Sequence, residues 1–378
     1  MTSIKAVFVR GGTSKGLVFH ERDLPLEQAE WDPVFLRAMG SPDPYGRQLD
    51  GMGGGVSSLS KVCVVRPSPR RDADVDYTFA QVQIGHAAVN YSGNCGNMAS
   101  AVGPFAVDEG LVEAPSDGTA VVRMHNLNTG KTIRSAFAVR AGRSVREGSY
   151  RLQGVAGTGS PVRLDFLDPG GTVNGRLLPV GEAMTRITVG GVPMHVSMVD
   201  SANPVVFVRA AELGLRAVET PDELEAGAEV LLRLEEVRRT ASVLMGIAAD
   251  AVAAAKNPTT PFVAVVGPSA AFRTLGGDRT EEGDVDLSVR FLSNGQPHRA
   301  LPLTGALCTA VAAQVTGSVV HESARHAGGD MIRLGSPSGP IEVAASVSGS
   351  LDTAEGMRVD HATAFRTTRR LFSGYVEL

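Results

Sequence analysis

Two stretches of this chain are made of small apolar residues with no polar face, and each has to be enclosed on all sides. Met98 to Val107 and Ala310 to Val315 are rich in alanine and valine, which reads as a helix buried all round. Each follows strand-like sequence and opens on a turn carrying a glycine and a cysteine. The first turn is Ser92-Gly93-Asn94-Cys95-Gly96-Asn97 and the second is Thr304-Gly305-Ala306-Leu307-Cys308-Thr309. The two cysteines stand about half a chain length apart. The expectation is a weak internal repeat: two similar domains, each wrapping a sheet around one buried helix. With so few residues shared, a chance match is the competing reading.

The rest of the chain suits such sheets. Val75, Tyr77 and Phe79 alternate on one face, and Val82 and Ile84 continue on the other, a phase slip that predicts a bulge. Ile187 to Val196 reads as two short strands around Gly190-Gly191, and Val205 to Val208 as another strand. One helix is well signalled. Thr220-Pro221-Asp222-Glu223 combines an N-cap, a proline at the first helical position and a capping-box glutamate. Apolar residues then recur from Leu231 to Ala248, and Asn257-Pro258 stops the pattern. At about thirty-six residues it is long, and Gly246 is the natural place for a break.

Composition narrows the function. A chain of 378 residues with 43% hydrophobic content can bury a large core or two ordinary ones. Its 36 basic residues are spread among 40 acidic ones, for a net charge of -4. That balance argues against nucleic acid, which selects a basic face. Three widely spaced cysteines, with no CxxC pair, suit reduced thiols better than a disulfide framework or a zinc site. The sequence from Met1 shows no signal-peptide pattern, and the apolar stretch Ala241 to Ala255 contains Asp250 and is too short for a bilayer. The expectation is a cytoplasmic protein with no membrane partner.

Several short motifs need weighing. Gly12-Thr13-Ser14-Lys15-Gly16 has the spacing of a hydrolase nucleophile elbow, but Leu17-Val18-Phe19 follows it as a strand where the elbow needs a helix. The plain reading is a hairpin tip; the one preferred here is a substrate-facing loop carrying Arg10 and Lys15. His321-Glu322 starts like a zinc-protease motif, yet Arg325 stands where the second histidine belongs, and no metal site follows. From Gly51 to Lys61, eleven residues hold four glycines and three serines and run into a strand. Such a loop can bring N–H groups and hydroxyls, Gly53, Gly54 and Ser60 among them, close to an anion. Its bland alternative is a surface loop. Cys95 at a helix start feels the positive end of the dipole, and the N–H groups of Gly96 and Asn97 can receive a carboxylate. A small buried core cysteine is the alternative there. His298 sits just upstream of the Thr304 turn.

Taken together, these stretches resemble the PrpF family. The matching residues are Arg10 to Gly16, Gly40 to Pro44, Asp50 to Gly54, Ser60-Lys61, Asp74 to Tyr77 and Gly93 to Asn97. Asp284-Val285-Asp286, Arg290, Ser293, His298, Thr304-Gly305 and Pro337 to Gly339 continue the match in the second half. The resemblance implies an α+β, diaminopimelate-epimerase-like fold. It would have two pseudo-symmetric domains, residues 1–185 and 186–378, each a curved antiparallel sheet around a central helix. The last strand has the option of packing on the first domain, and the active site is expected between the two. PrpF-like proteins act without cofactors on unsaturated di- and tricarboxylates, as 2-methylaconitate cis-trans isomerase, methylitaconate Δ-isomerase or 4-oxalomesaconate tautomerase. By resemblance the catalytic lysine falls on Lys61 and the first-domain cysteine on Cys95.

That chemistry suits those residue types. Taking a proton allylic to a conjugated carboxylate leaves a dienolate-like anion, whose charge must be met by fixed donors. Helix starts at Cys95 and Thr304, with the glycine loop, can supply them. Arg10, Thr13, Ser14, Lys15, Asn94, Ser293, His298, Gly305 and Cys308 complete the candidate substrate contacts. Cys308 is either a second catalytic cysteine or a packing residue, and Cys63 reads as packing beside Lys61. An amino-acid racemase using Cys95 and Cys308, a serine hydrolase at Ser14 and a non-catalytic carboxylate binder remain as alternatives. A small unsaturated polycarboxylate is the expected partner, and a homodimer is left open.

Overall fold

A computed structural model describes residues 3–91, 94–258, 260–293, 295–325, 329–349 and 356–378. Ser92 and Gly93 of the first helix-start motif lie outside the described residues, as does the side chain of Ser293. The chain divides into two units, Met1–Asp165 with Phe365–Leu378, and Phe166–Ala364.

The first unit begins with a hairpin, β1 (Ser3–Gly11) and β2 (Ser14–His20), followed by α1 (Trp31–Met39). Next come β3 (Lys61–Pro67), β4 (Val75–Val82), β5 (Val89–Asn90) and α2 (Gly96–Asp108). Strands β6 (Asp117–Asn126), β7 (Thr132–Arg140), β8 (Arg143–Ser144) and β9 (Pro161–Leu167) follow. In the second unit, β10 (Thr185–Val189), β11 (Val192–Ser201) and β12 (Asn203–Arg209) precede α3 (Pro221–Ala226), α4 (Ala228–Leu244) and α5 (Ala251–Lys256). There follow β13 (Phe262–Pro268), β14 (Phe272–Arg273), β15 (Arg279–Thr280), β16 (Leu287–Ser293), β17 (Gln296–Pro297) and α6 (Leu303–Gln314). The last elements are α7 (Val319–Ser323), β18 (Met331–Ser336), β19 (Gly339–Gly349) and β20 (Met357–Glu377).

The repeat is present as topology. In the first unit an antiparallel hairpin (β1/β2) steps in parallel to β3, and β3 pairs antiparallel with β4. A two-residue strand, the buried helix α2, a parallel β4/β6 pairing and an antiparallel β6/β7 pairing complete the plan. The second unit repeats it with β11/β12, β13, β16, β17, α6, β18 and β19. The strand pairing within each unit is therefore mixed, with parallel steps between antiparallel hairpins. Each plan carries the same brace: Asp74 accepts from the backbone N–H and guanidinium of Arg123, and Asp286 does so from Arg333.

Alternation along the strands sorts the two faces of the first sheet. Ile4, Ala6, Phe8, Leu17, Phe19, Val62 and Val64 pack with Trp31, Val34 and Phe35 of α1. Residues of the opposite parity, Val7 and Val9, line a small cavity with Ala101, Pro104 and Phe105 of α2. The expected bulge near Val82 is absent, because β4 pairs with β3 without a register shift. Its mixed pattern arises because β4 is buried on both faces, Asp76 and Thr78 included. The long helix is also divided. Thr220 and Glu223 form the reciprocal capping box, but Gly227 ends the first segment. Gly246, at φ +79°, follows α4, and Asp250 caps α5. Leu234, Val237, Ala241 and Met245 then pack on strands β10 to β13.

Candidate active site

Lys61 is the first residue of β3 and shares a face with Cys63 and Val65. Gly16 pairs with it, and a Cβ at Gly16 would stand 2.1 Å from the Lys61 carbonyl oxygen, so only glycine lets the strands meet. The half-buried Lys61 Nζ donates to Gln81 Oε1 at 2.5 Å and sits 5.1 Å from the Phe79 ring centroid. Gln81 is held in turn by donating to the carbonyls of Ser57 and Ser60 at 3.0 Å.

Cys95 occupies the N-cap of α2 in an extended conformation (φ -114°, ψ 101°) and makes no side-chain cap. The first helical bond runs from Ala99 N to the Cys95 carbonyl, so the N–H groups of Gly96, Asn97 and Met98 have no acceptor inside the helix. Asn94 accepts from the Tyr77 hydroxyl at 2.9 Å, which anchors the approach to the helix. Cys63 is fully buried, and burial, reinforced by Cys95, pushes its thiol up while Lys61 opposes the shift. Cys63 is thus an inert neighbour.

A cation that the sequence did not single out stands at the same helix start. Arg366, on β20, is 5% exposed and donates from Nε to Asn97 Oδ1 at 3.0 Å. Its Nη1 donates to the Phe365 carbonyl at 2.8 Å. Asn97 Nδ2 donates to Thr13 Oγ1 at 3.0 Å, tying the hairpin tip to the helix. Gly12 (φ +54°) permits this, since a Cβ there would stand 2.3 Å from Asn97 Oδ1. Burial lowers the Arg366 guanidinium to about 10, with Tyr150 and Cys95 favouring its charge. Nothing in the local sequence separates Arg366 from the nearby Arg369 and Arg370; only the strand register does.

Other expected contacts lie elsewhere. Ser14 is buried and starts β2 opposite Gly11, with a strand on either side and no elbow. Arg10 and Lys15 are cross-strand neighbours on the parity of Phe8 and Leu17, the face opposite Lys61. Arg10 donates to the carbonyls of Gly12 and Thr367 and to Thr367 Oγ1, and Lys15 Nζ lies 5.4 Å from the Phe8 ring centroid. The glycine loop closes on α1. Met52 N and Gly53 N donate to the carbonyls of Ala38 and Met39, while Gly55 N and Ser60 Oγ donate to Gln48 Oε1. A Cβ at Gly51 would meet Gly40 N at 2.1 Å, at Gly53 the Gln48 amide, and at Gly54 the Leu59 side chain. These glycines serve close packing, and of the expected anion contacts the Gly53 N–H and the Ser60 hydroxyl are already bonded, as is the N–H of Gly55.

In the second unit, α6 starts at Leu303 behind Pro302, so Cys308 lies within the helix and not at its turn. Its Sγ donates to the Val199 carbonyl at 3.4 Å, and burial pushes the thiol up. Thr304 is in the first turn, and Gly305 leaves room for the Phe291 ring, 2.6 Å from where a Cβ would stand. His298 lies edge-on to Phe262, and burial favours its neutral ring. Arg290 is enclosed by the carbonyls of Glu219, Val289 and Gly335. By strand register, Phe262 holds the place of Lys61 and Ser293 that of Gln81. The first unit therefore brings together Lys61, Gln81, Asn94, Cys95, Gly96, Asn97, Thr13 and Arg366, while the second carries no lysine at the matching position.

This doubled plan of a mixed sheet around a buried helix is the diaminopimelate-epimerase-like α+β fold. A solved hydroxyproline epimerase from Agrobacterium vitis shares it at a TM-score of 0.52 and 13% identity, covering 100% of this chain and 94% of that one. The model of the PrpF protein family matches residues 1–378, and the chain belongs to that family. It is 39% identical to 3-methylitaconate isomerase of Eubacterium barkeri, covering 99% of this chain and 96% of the relative. It is 37% identical to 2-methyl-aconitate isomerase of Cupriavidus necator, covering 99% and 97%. A crystal structure of methylitaconate-delta-isomerase superposes at a TM-score of 0.91 with 38% identity, covering 99% of this chain and 96% of that one. These relatives are isomerases, and so is this chain.

Proposed function

We propose that this isomerase moves a proton on an unsaturated di- or tricarboxylate, taking it from an allylic carbon and returning it at the same or a neighbouring position. The supporting observation is that Cys63, next to Lys61 on the same face of β3, feels the charges of both Lys61 and Cys95, the N-cap residue of α2. Lys61 is the principal proton carrier and Cys95 its partner. Abstraction yields a delocalised dienolate, and the N–H groups of Gly96 to Met98, which have no acceptor within the helix, meet its charge. Rotation about the delocalised bond gives cis-trans isomers; reprotonation at the far carbon shifts the double bond. No step of this scheme calls for a cofactor. The relatives named for methylitaconate and methylaconitate support this substrate class.

The racemase reading loses support from Cys308, whose sulfur is enclosed within its own unit. We further propose a cytoplasmic protein that forms a homodimer and binds no nucleic acid; light scattering and fractionation of native cells test those points. The decisive experiment is proton NMR in deuterium oxide with aconitate, methylaconitate, methylitaconate and oxalomesaconate. Exchange or isomerisation of at least one, undiminished by a chelator, is expected. Silence across the panel overturns the reading.

A further inference from the structure

We propose that Arg366 is the counter-ion of a substrate carboxylate that keeps its charge throughout the reaction. The inference deepens the functional reading above and rests on it. Three arginines are buried among the described residues, Arg238, Arg290 and Arg366. Arg238 is forked onto both oxygens of Glu235 at 2.7 Å and donates to three carbonyls besides. Arg290 donates to three carbonyls, and the charges of Glu219 and Glu223 favour its own. Arg366 has no carboxylate beside it, only Tyr150 and Cys95 to favour its charge. It makes two hydrogen bonds, to one amide oxygen and one carbonyl, and its Nη2 donates to nothing among the described residues.

A buried cation without an anionic partner is strongly disfavoured unless something neutralises it. The neighbourhood of Arg366 makes the omission worse in the apo protein, because the α2 N-terminus beside it is also positive. One carboxylate on the free edge of the guanidinium relieves the cation, and leaves the helix N–H groups for the charge that develops on the conjugated carboxylate. Asn97 fixes the fork: its Oδ1 takes Nε while its Nδ2 is held by Thr13. The remaining donors of Arg366 are left for a ligand. Because Lys61 carries the proton, the carboxylate at Arg366 is the one that anchors the substrate and not the one conjugated to the reacting carbon.

The test uses the full-length protein, with propane-1,2,3-tricarboxylate as an inert probe. Calorimetry on wild type, Arg366→Gln and Arg366→Lys is paired with kinetics on whichever panel member turns over. Arg366→Gln is expected to weaken probe binding and raise KM about a hundredfold, the loss of a charged bidentate contact, with kcat changed less than tenfold. Arg366→Lys should recover part of the affinity. Tm of the ligand-free Arg366→Gln protein should equal or exceed that of wild type, whereas removal of a structural brace lowers it. Should the glutamine variant not fold, the wild-type Arg366 Nε–H resonance is followed instead, and a shift on adding the probe is expected. Unchanged affinity in the variant, an unmoved resonance, or no probe binding at all overturns the proposal. Arg366-dependent probe binding without turnover of any panel member leaves the anchor standing and removes the proposed reaction.

Discussion

Lys61 and Cys95 carry the proposed chemistry from opposite kinds of position. One is the opening residue of a strand and is held by Gln81; the other is the N-cap of a helix. Loss of a proton carrier typically costs two to four orders of magnitude. Lys61→Ala is therefore expected to lower kcat about a thousandfold with little change in KM, measured on the active panel member. Cys95→Ser should lose a similar factor, and retention of full activity in either would remove that residue from the mechanism. Cys308→Ser is the contrasting case. Its thiol is enclosed and raised by burial, so kcat should stay within about threefold of wild type while Tm falls. A thousandfold loss of kcat there would restore the two-cysteine scheme.

At the scale of elements, the glycine loop after α1 and the paired aspartate braces decide stability. Gly51→Ala places a methyl against the Gly40 backbone and is expected to cost about 2 kcal/mol, read from urea unfolding. For Asp286, burial alone would raise the carboxyl, but Arg333 and Arg325 outweigh it and hold it below the ordinary range. A depressed folded value means stability that is present above the unfolded value of about 4 and lost as pH falls through the lower folded one. Asp286→Asn should thus cost about 2 kcal/mol at pH 7 and progressively less below pH 4, followed by thermal melts across that range. An Asn penalty independent of pH would contradict the brace. Elements set by local chemistry were legible in the sequence: the capping box at Thr220, the Gly190-Gly191 hairpin and the apolar helix behind Cys95. Thr304-Gly305 resembles a helix start, but α6 begins at Leu303 with Pro302 as its N-cap. The repeated braces, Asp74 with Arg123 and Asp286 with Arg333, take shape only through parallel strand pairing and leave no mark in the local spacing. Arg366 was invisible for the same reason, since register and not spacing brings it to Asn97.

Over the whole molecule, one plan occurs twice with different corners. The first unit keeps lysine, cysteine and an open helix start; the second places Phe262 and a neutral His298 at the matching corner. The first unit also depends on residues far away in sequence, because β1 pairs from Ser3 to Gly11 with β20 from Glu377 to Thr368. Deleting Phe365–Leu378 is expected to leave β1 amides exchanging rapidly with deuterium while Val205 to Arg209 stay protected by their own neighbours. Undiminished protection in β1 would show that the strand is not needed. The same pairing orders events during synthesis. Every residue of Phe166–Ala364 is made before the segment Thr368 to Glu377 that pairs with β1. The newborn chain therefore carries an unfinished sheet edge throughout translation of its middle half, the interval in which a chaperone would find most to hold.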